Sequence, residues 1–202
     1  MENKVDLIQM FSVPLYKFSV PNWEEEKKDI LKALPKEKRV KEYKDDIYTD
    51  FFDNSRSRKL PSYADLVLDV LSPCMEEFIQ IQSSPGWLGV DAMWYQTEYR
   101  GQKHMLHNHG NIGWSSVFYI NFDPKIHTST KFLSPFNSGS GIGNILQWYQ
   151  PDVKEGDFII FNSDIPHEAL PNESDKKRTI ISMNFQTQQL SPVKQYQLNN
   201  IV

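Results

Sequence analysis

Arg178-Thr179-Ile180-Ile181-Ser182-Met183-Asn184-Phe185-Gln186-Thr187 is the stretch on which the fold turns. In an extended strand successive side chains point to opposite faces. Arg178, Ile180, Ser182 and Asn184 then share one face, and Thr179, Ile181, Met183 and Phe185 share the other. The first face is mostly polar and the second mostly apolar. Such a strand packs its apolar side on a second layer and turns its polar side toward an interior that houses a site.

The residues ahead of it follow the same grammar. From Trp87 onward, short runs of aromatic and β-branched residues are punctuated by Gly, Pro, Asn and Asp. Strands are expected near 91–99, 104–109, 115–121, 130–134, 144–149, 157–161, 166–170 and 178–187. Eight short strands with turns between them make a sandwich or barrel. The expected class is mainly β with some helix (α+β): a double-stranded β-helix, or jelly roll, buttressed by N-terminal helices.

Upstream, residues 6–20 read as an edge strand or two short strands, with Pro14 confining them to an edge. Asn22 is a candidate N-cap for a helix from Trp23 to about Leu34, stopped by Pro35. Residues 38–60 are polar and irregular and suit a loop or lid. Residues 61–82 carry three-four apolar spacing, with a break expected at Ser72-Pro73, and Ser83-Ser84-Pro85-Gly86 ends the helical part. The whole is expected to be one domain over 1–202, with 1–86 as supporting strand and helices and 87–190 as the jelly-roll core.

Composition narrows the function classes. A net charge of −4 gives no basic face for nucleic acid. The basic residues within 26–41 are interleaved with acidic ones and read as a solvated surface. The single Cys74 rules out an intramolecular disulfide and suits a reducing compartment. Apolar residues near the N-terminus are interrupted by Pro14, Lys17 and Pro21, so no membrane span or secretory pattern is expected there. A soluble cytoplasmic protein is the expectation.

The chemistry-bearing residues are few. His107 and His109 lie one residue apart, on the same side of a strand. His167 and Arg178 follow downstream. Three imidazoles can hold a transition metal, although imidazole alone does not choose between zinc, copper, iron and nickel. Arginine can grip a carboxylate through two parallel hydrogen bonds, and strand parity turns the neighbouring Lys177 the other way. His104, three residues before His107, should face the opposite side and read as structural. His127 sits in a loop-like stretch. A ligand set with Asp164 in place of His109 needs a bent loop.

Tyr99-Arg100-Gly101-Gln102-Lys103-His104-Met105-Leu106-His107 resembles the lead-in to the first iron ligand of prolyl 4-hydroxylase-like 2-oxoglutarate oxygenases. Ser115 to Asn121 resembles the strand that follows. Pro151, Val153, Gly156, Asp157 and Phe161 resemble the turn and strand that bring in the distal histidine, and His167, Pro171, Asn172 and Arg178 complete the order. The likeness covers roughly 90–187. It is closest to a group found in marine bacteria and bacteriophages that carries His-x-His in place of His-x-Asp; for a phage protein the location would be the host cytoplasm.

The resemblance implies His107, His109 and His167 as Fe(II) ligands and Arg178 as partner of the distal carboxylate of 2-oxoglutarate. It also implies dioxygen as cosubstrate, with ascorbate as an accessory reductant. Tyr119, Tyr99, Ser182 and Asn184 are candidate cosubstrate contacts, and Trp94, Trp114 and Trp148 candidate walls of a substrate groove. The implied reaction is hydroxylation of a C–H bond in a peptidyl, prolyl-type substrate, with release of succinate and CO2; a small-molecule substrate is the other option. Two rival readings are a three-histidine, cupin-like dioxygenase that needs no 2-oxoglutarate, and a non-catalytic jelly-roll binding module.

Overall fold

Strand alternation sorts the sequence onto two sheets that close on one another. The computed structural model describes residues 12–37, 47–82, 87–136, 147–187 and 194–197. The expected strand residues 6–11 and 144–146, lid residues 38–46 and helix stop at 83–86 lie outside the described residues.

Eight strands form the roll: β3 (Trp87–Glu98), β4 (His104–His107), β5 (Trp114–Asn121), β6 (Lys131–Leu133), β7 (Trp148–Tyr149), β8 (Asp157–Asn162), β9 (His167–Ala169) and β10 (Arg178–Gln186). The larger sheet has the order β8-β5-β10-β3, and the smaller has β4-β9-β6-β7. All the pairings are antiparallel. The chain thus passes back and forth between two facing sheets, which is the double-stranded β-helix expected from the sequence. Three further strands widen the larger sheet: β1 (Leu15–Ser19) on β8, and β2 (Tyr48–Thr49) and β11 (Lys194–Gln197) on β3.

The parity read from 178–187 holds. Ile181, Met183 and Phe185 join Met93, Tyr95, Phe118 and Phe158 in a core beneath α1 (Trp23–Ala33) and α3 (Ala64–Ile81). The opposite face of the same sheet gives Val117, Tyr119, Ile159 and Phe161 to a second core between the two sheets, with Ile180 packed against it. The helices therefore cover one side and leave the other free to build the interior.

Local details depart from expectation for definable reasons. Asn22 does precede α1, but in a left-handed conformation (φ 52°) and without a side-chain cap. Its carbonyl instead accepts from the Glu25 and Glu26 amides, while Glu24, Glu25 and Glu26 favour the helix N-terminus electrostatically. The break expected at Ser72-Pro73 does not occur, and α3 runs through Pro73. Proline removes the N–H that would reach the carbonyl of Asp69. The Ser72 hydroxyl donates to that carbonyl at 2.9 Å, so the acceptor stays satisfied. Residues 47–60 are not irregular; they hold β2 and α2 (Phe51–Ser57).

Gly156 ties the helical layer to the roll. Its φ is +82°, and an added Cβ would lie 2.5 Å from the Trp23 ring. Its amide donates to the Tyr119 carbonyl and its carbonyl accepts from Val20. Gly156→Ala is expected to destabilise by about 3 kcal/mol, from left-handed strain plus the clash with a buried indole. For a chain of this size that is a fall in Tm of roughly 10 °C, readable by circular dichroism.

Candidate metal centre

The three histidines singled out in the sequence converge. One ring nitrogen from each of His107, His109 and His167 lies within 4.8 Å of the others. β4 supplies His107 and β9 supplies His167, and the two are directly paired across the smaller sheet. His109 comes just after β4, where its amide donates to the Ser163 carbonyl and Ser163 Oγ donates to the Gly110 carbonyl. Asp164 is exposed and is not part of the cluster.

The hydrogen bonds fix how each ring is presented. His107 Nδ1 lies 2.7 Å from the Met105 carbonyl, and His167 Nδ1 lies 2.8 Å from the Ile165 carbonyl. Carbonyls only accept, so both Nδ1 atoms carry the proton. His109 Nδ1 donates to Asn184 Oδ1 at 2.6 Å, and the Ser115 hydroxyl donates to the same oxygen at 2.8 Å. All three Nε2 lone pairs are therefore free. Metal-binding histidines are held in this way, with the second nitrogen donating to an oxygen.

Burial is the leading cause that lowers the pKa of each imidazole below the usual histidine value; that of His167 is pushed down to about 3. The rings are thus neutral, as ligation needs. Below pH 6.5 the unfolded chain takes up protons that the folded site refuses. The metal-free protein should therefore lose stability as pH falls from about 6.5 toward 3. Thermal melts at pH 7, 5 and 4 should show a steadily falling Tm, and a flat profile would contradict the burial.

His104 joins the cluster against expectation. Its ring stacks on His107 with centroids 4.0 Å apart, and it lines the same cavity. The cause is a bulge: His104 pairs with Ala169 and His107 with His167, so β4 spends three steps where β9 spends two. The extra residue restores the facing that simple alternation would reverse.

Other residues are divided by the structure. Trp94 lines the cavity, packed edge-on to Phe51 at 5.1 Å and tilted against His109 at 5.5 Å. Ser182 lines a smaller inner pocket beside His167 and Thr130. Tyr119 is buried and bonds Thr130 through its hydroxyl, and burial raises its pKa. Asn184 spends its carbonyl oxygen on His109, a role the sequence did not suggest. Tyr99 lies outside these cavities, half-exposed, donating to Glu37. Trp114 packs among Tyr16 and Phe78 under the helices, and Trp148 is exposed in a separate groove with Phe136 and Tyr149. Neither wall of the histidine cavity contains them. His127 is structural: its Nδ1 accepts from the Asp123 amide and its Nε2 donates to the Lys176 carbonyl.

Arg178 points inward and Lys177 outward to Glu37, as parity required. Asp175 pairs with Arg100 rather than with Arg178. Arg178 is 2% exposed and already bonded: Nε to Glu98 at 2.6 Å, one terminal nitrogen to Thr128, the other to the Leu170 carbonyl at 2.8 Å. Glu98 was missed in the sequence, although it is the inner-face residue directly opposite Arg178 in the β3–β10 register.

The cavity in front of the histidines holds about 300 Å³, with Ile47, Phe51, Phe52 and Trp94 among its walls and, among the described residues, no Asp, Glu, Lys or Arg lining it. Asn184→Ala should weaken divalent-metal affinity by roughly 10–100-fold, because His109 loses the acceptor that orients it. Metal titration with a chelating indicator would measure this, and an unchanged affinity would remove Asn184 from the site.

Residues 92–184 match the family model described as "Putative 2OG-Fe(II) oxygenase". No curated protein matches in sequence. Among solved structures, a Pseudomonas putida prolyl-4-hydroxylase is similar with a TM-score of 0.57 at 12% identity, over 88% of this chain and 95% of that one. A 2OG-Fe(II) oxygenase family oxidoreductase from Burkholderia pseudomallei gives 0.59 at 13% identity, over 83% and 80%. HygX from Streptomyces hygroscopicus, solved with nickel, 2-oxoglutarate and hygromycin B, gives 0.60 at 12%, over 86% and 83%.

Proposed function

We propose that the chain is a 2-oxoglutarate- and Fe(II)-dependent oxygenase of the prolyl 4-hydroxylase-like kind, a reading supported by the family-model match over 92–184 and the shared fold, and that His107, His109 and His167 hold its iron. Arg178 receives the distal carboxylate of 2-oxoglutarate in the same reading. The observation that carries it is the clustering of one ring nitrogen from each histidine within 4.8 Å of the others, with each Nδ1 proton tied to an oxygen so that Nε2 is left unprotonated. Such a donor set fits a divalent transition metal. Iron and 2-oxoglutarate, when bound, supply the oxidation in which dioxygen is split between a hydroxylated C–H bond and succinate, with CO2 released.

The protein's own residues do the positioning. Met105, Ile165 and Asn184 hold the imidazoles in their ligating orientation. Ser182 offers a hydroxyl to the cosubstrate from the inner pocket. Phe51, Phe52 and Trp94 keep water from the reacting carbon and form a rigid aromatic wall for substrate. An uncharged ring suits that wall, which supports a peptidyl substrate of prolyl type. The single thiol, Cys74, is free and buried, which fits a cytoplasmic location.

Anaerobic reconstitution should give about one Fe(II) per chain, set by the one such triad among the described residues. Succinate release should then depend on 2-oxoglutarate. Failure to take up metal would end the proposal. A panel of proline-containing peptides should show a mass gain of one oxygen. Silence across that panel, with succinate release intact, would assign the cavity to small molecules instead.

A further inference from the structure

We propose that Glu98 competes with the distal carboxylate of 2-oxoglutarate for Arg178, and so sets how tightly the cosubstrate binds. This rests on the reading of Arg178 as the carboxylate site. Glu98 is 1% exposed, and its Oε2 accepts from Arg178 Nε at 2.6 Å. With Thr128 and Leu170 on the terminal nitrogens, four of the five N–H donors are committed. No free fork remains for an incoming carboxylate.

Three further observations point the same way. Arg178 lines neither cavity, and the inner pocket on its side of the histidines holds only about 30 Å³, room for little more than a water. A dicarboxylate must therefore loosen these contacts to reach the guanidinium. Gln96 bonds Glu98 Oε1 at 2.6 Å and also lines both cavities, so the carboxylate lies one polar contact behind the cavity wall. Finally, the histidine triad contributes no negative charge, unlike the 2-His-1-carboxylate arrangement. Glu98 places its negative charge at the arginine instead, where it already balances the guanidinium before any cosubstrate arrives. With the cosubstrate bound, two carboxylates face one guanidinium and repel each other.

Titration of 2-oxoglutarate into anaerobic, Fe(II)-loaded full-length protein tests this by calorimetry and thermal melting. Glu98→Gln should lower the Kd for 2-oxoglutarate roughly tenfold, since a like charge beside the ligand is removed. It should also lower the ligand-free Tm and enlarge the rise in Tm on binding, because the ligand then neutralises the buried arginine. Glu98→Asp, which keeps the charge but withdraws it, should move both in the same direction by less, and decides the matter should the glutamine variant not fold. A Kd that stays within about twofold of the parent, or rises, overturns the proposal and makes Glu98 a support for the arginine. In parallel, the double variant Glu98→Gln/Arg178→Met should lose cosubstrate binding. If it binds as tightly as Glu98→Gln, Arg178 is not the carboxylate site and the underlying reading fails with the proposal.

Discussion

His167→Ala is expected to abolish Fe(II) binding, weakening it by at least about 10³-fold, well beyond the 10–100-fold that losing an outer support costs. His167 is central to the triad: it pairs with His107 across the sheet, and its ring packs against Phe132 and Phe161. His107→Ala and His109→Ala should follow it. His104→Ala should not, although its ring lies nearer His107 than the other two do, at 4.0 Å against 5.1 and 4.4 Å. Its nitrogens fall outside the triad that could share an ion. Equilibrium dialysis of Fe(II) or a spectroscopic surrogate such as Co(II) would rank the four variants. Loss of binding in His104→Ala equal to that in His167→Ala would mean a different ligand set.

That ranking shows what the sequence could and could not disclose. Strand parity was legible wherever a strand runs uninterrupted. β10 turned Arg178 inward and Lys177 outward, as alternation demands. Parity failed at His104 because one bulged residue reverses every inference made across it, and bulges leave no reliable mark in sequence. The metal-ligand candidates were legible because histidines are rare in this chain, whereas their supports were not. Asn184 and Ser115 are ordinary strand residues until the register sets them beside His109. Trp114 and Trp148 illustrate the converse: a large aromatic advertises burial or contact without saying on which side of the sheet. Glu98 had a usable signal, namely opposite charges at inner positions of two strands, but only the β3–β10 register makes them neighbours.

Replacing the arginine has two separable consequences. Arg178→Met leaves Glu98 buried without its cation, and strips the donor from the Thr128 and Leu170 carbonyls. Breaking one half of a buried ion pair costs about 3–5 kcal/mol. That corresponds to a fall in Tm of roughly 10 °C or more in a chain of this length. Loss of 2-oxoglutarate binding in this variant would on its own be ambiguous between a missing contact and a damaged fold. The double variant Glu98→Gln/Arg178→Met removes both charges, and replacing a buried pair with neutral groups is often tolerated. It should regain most of the lost Tm while binding no 2-oxoglutarate. Recovery of stability without recovery of binding assigns the arginine to the cosubstrate. Recovery of both would confine Arg178 to holding β10 against the loop at Thr128, and the cosubstrate carboxylate would have to be sought at another group facing the inner pocket.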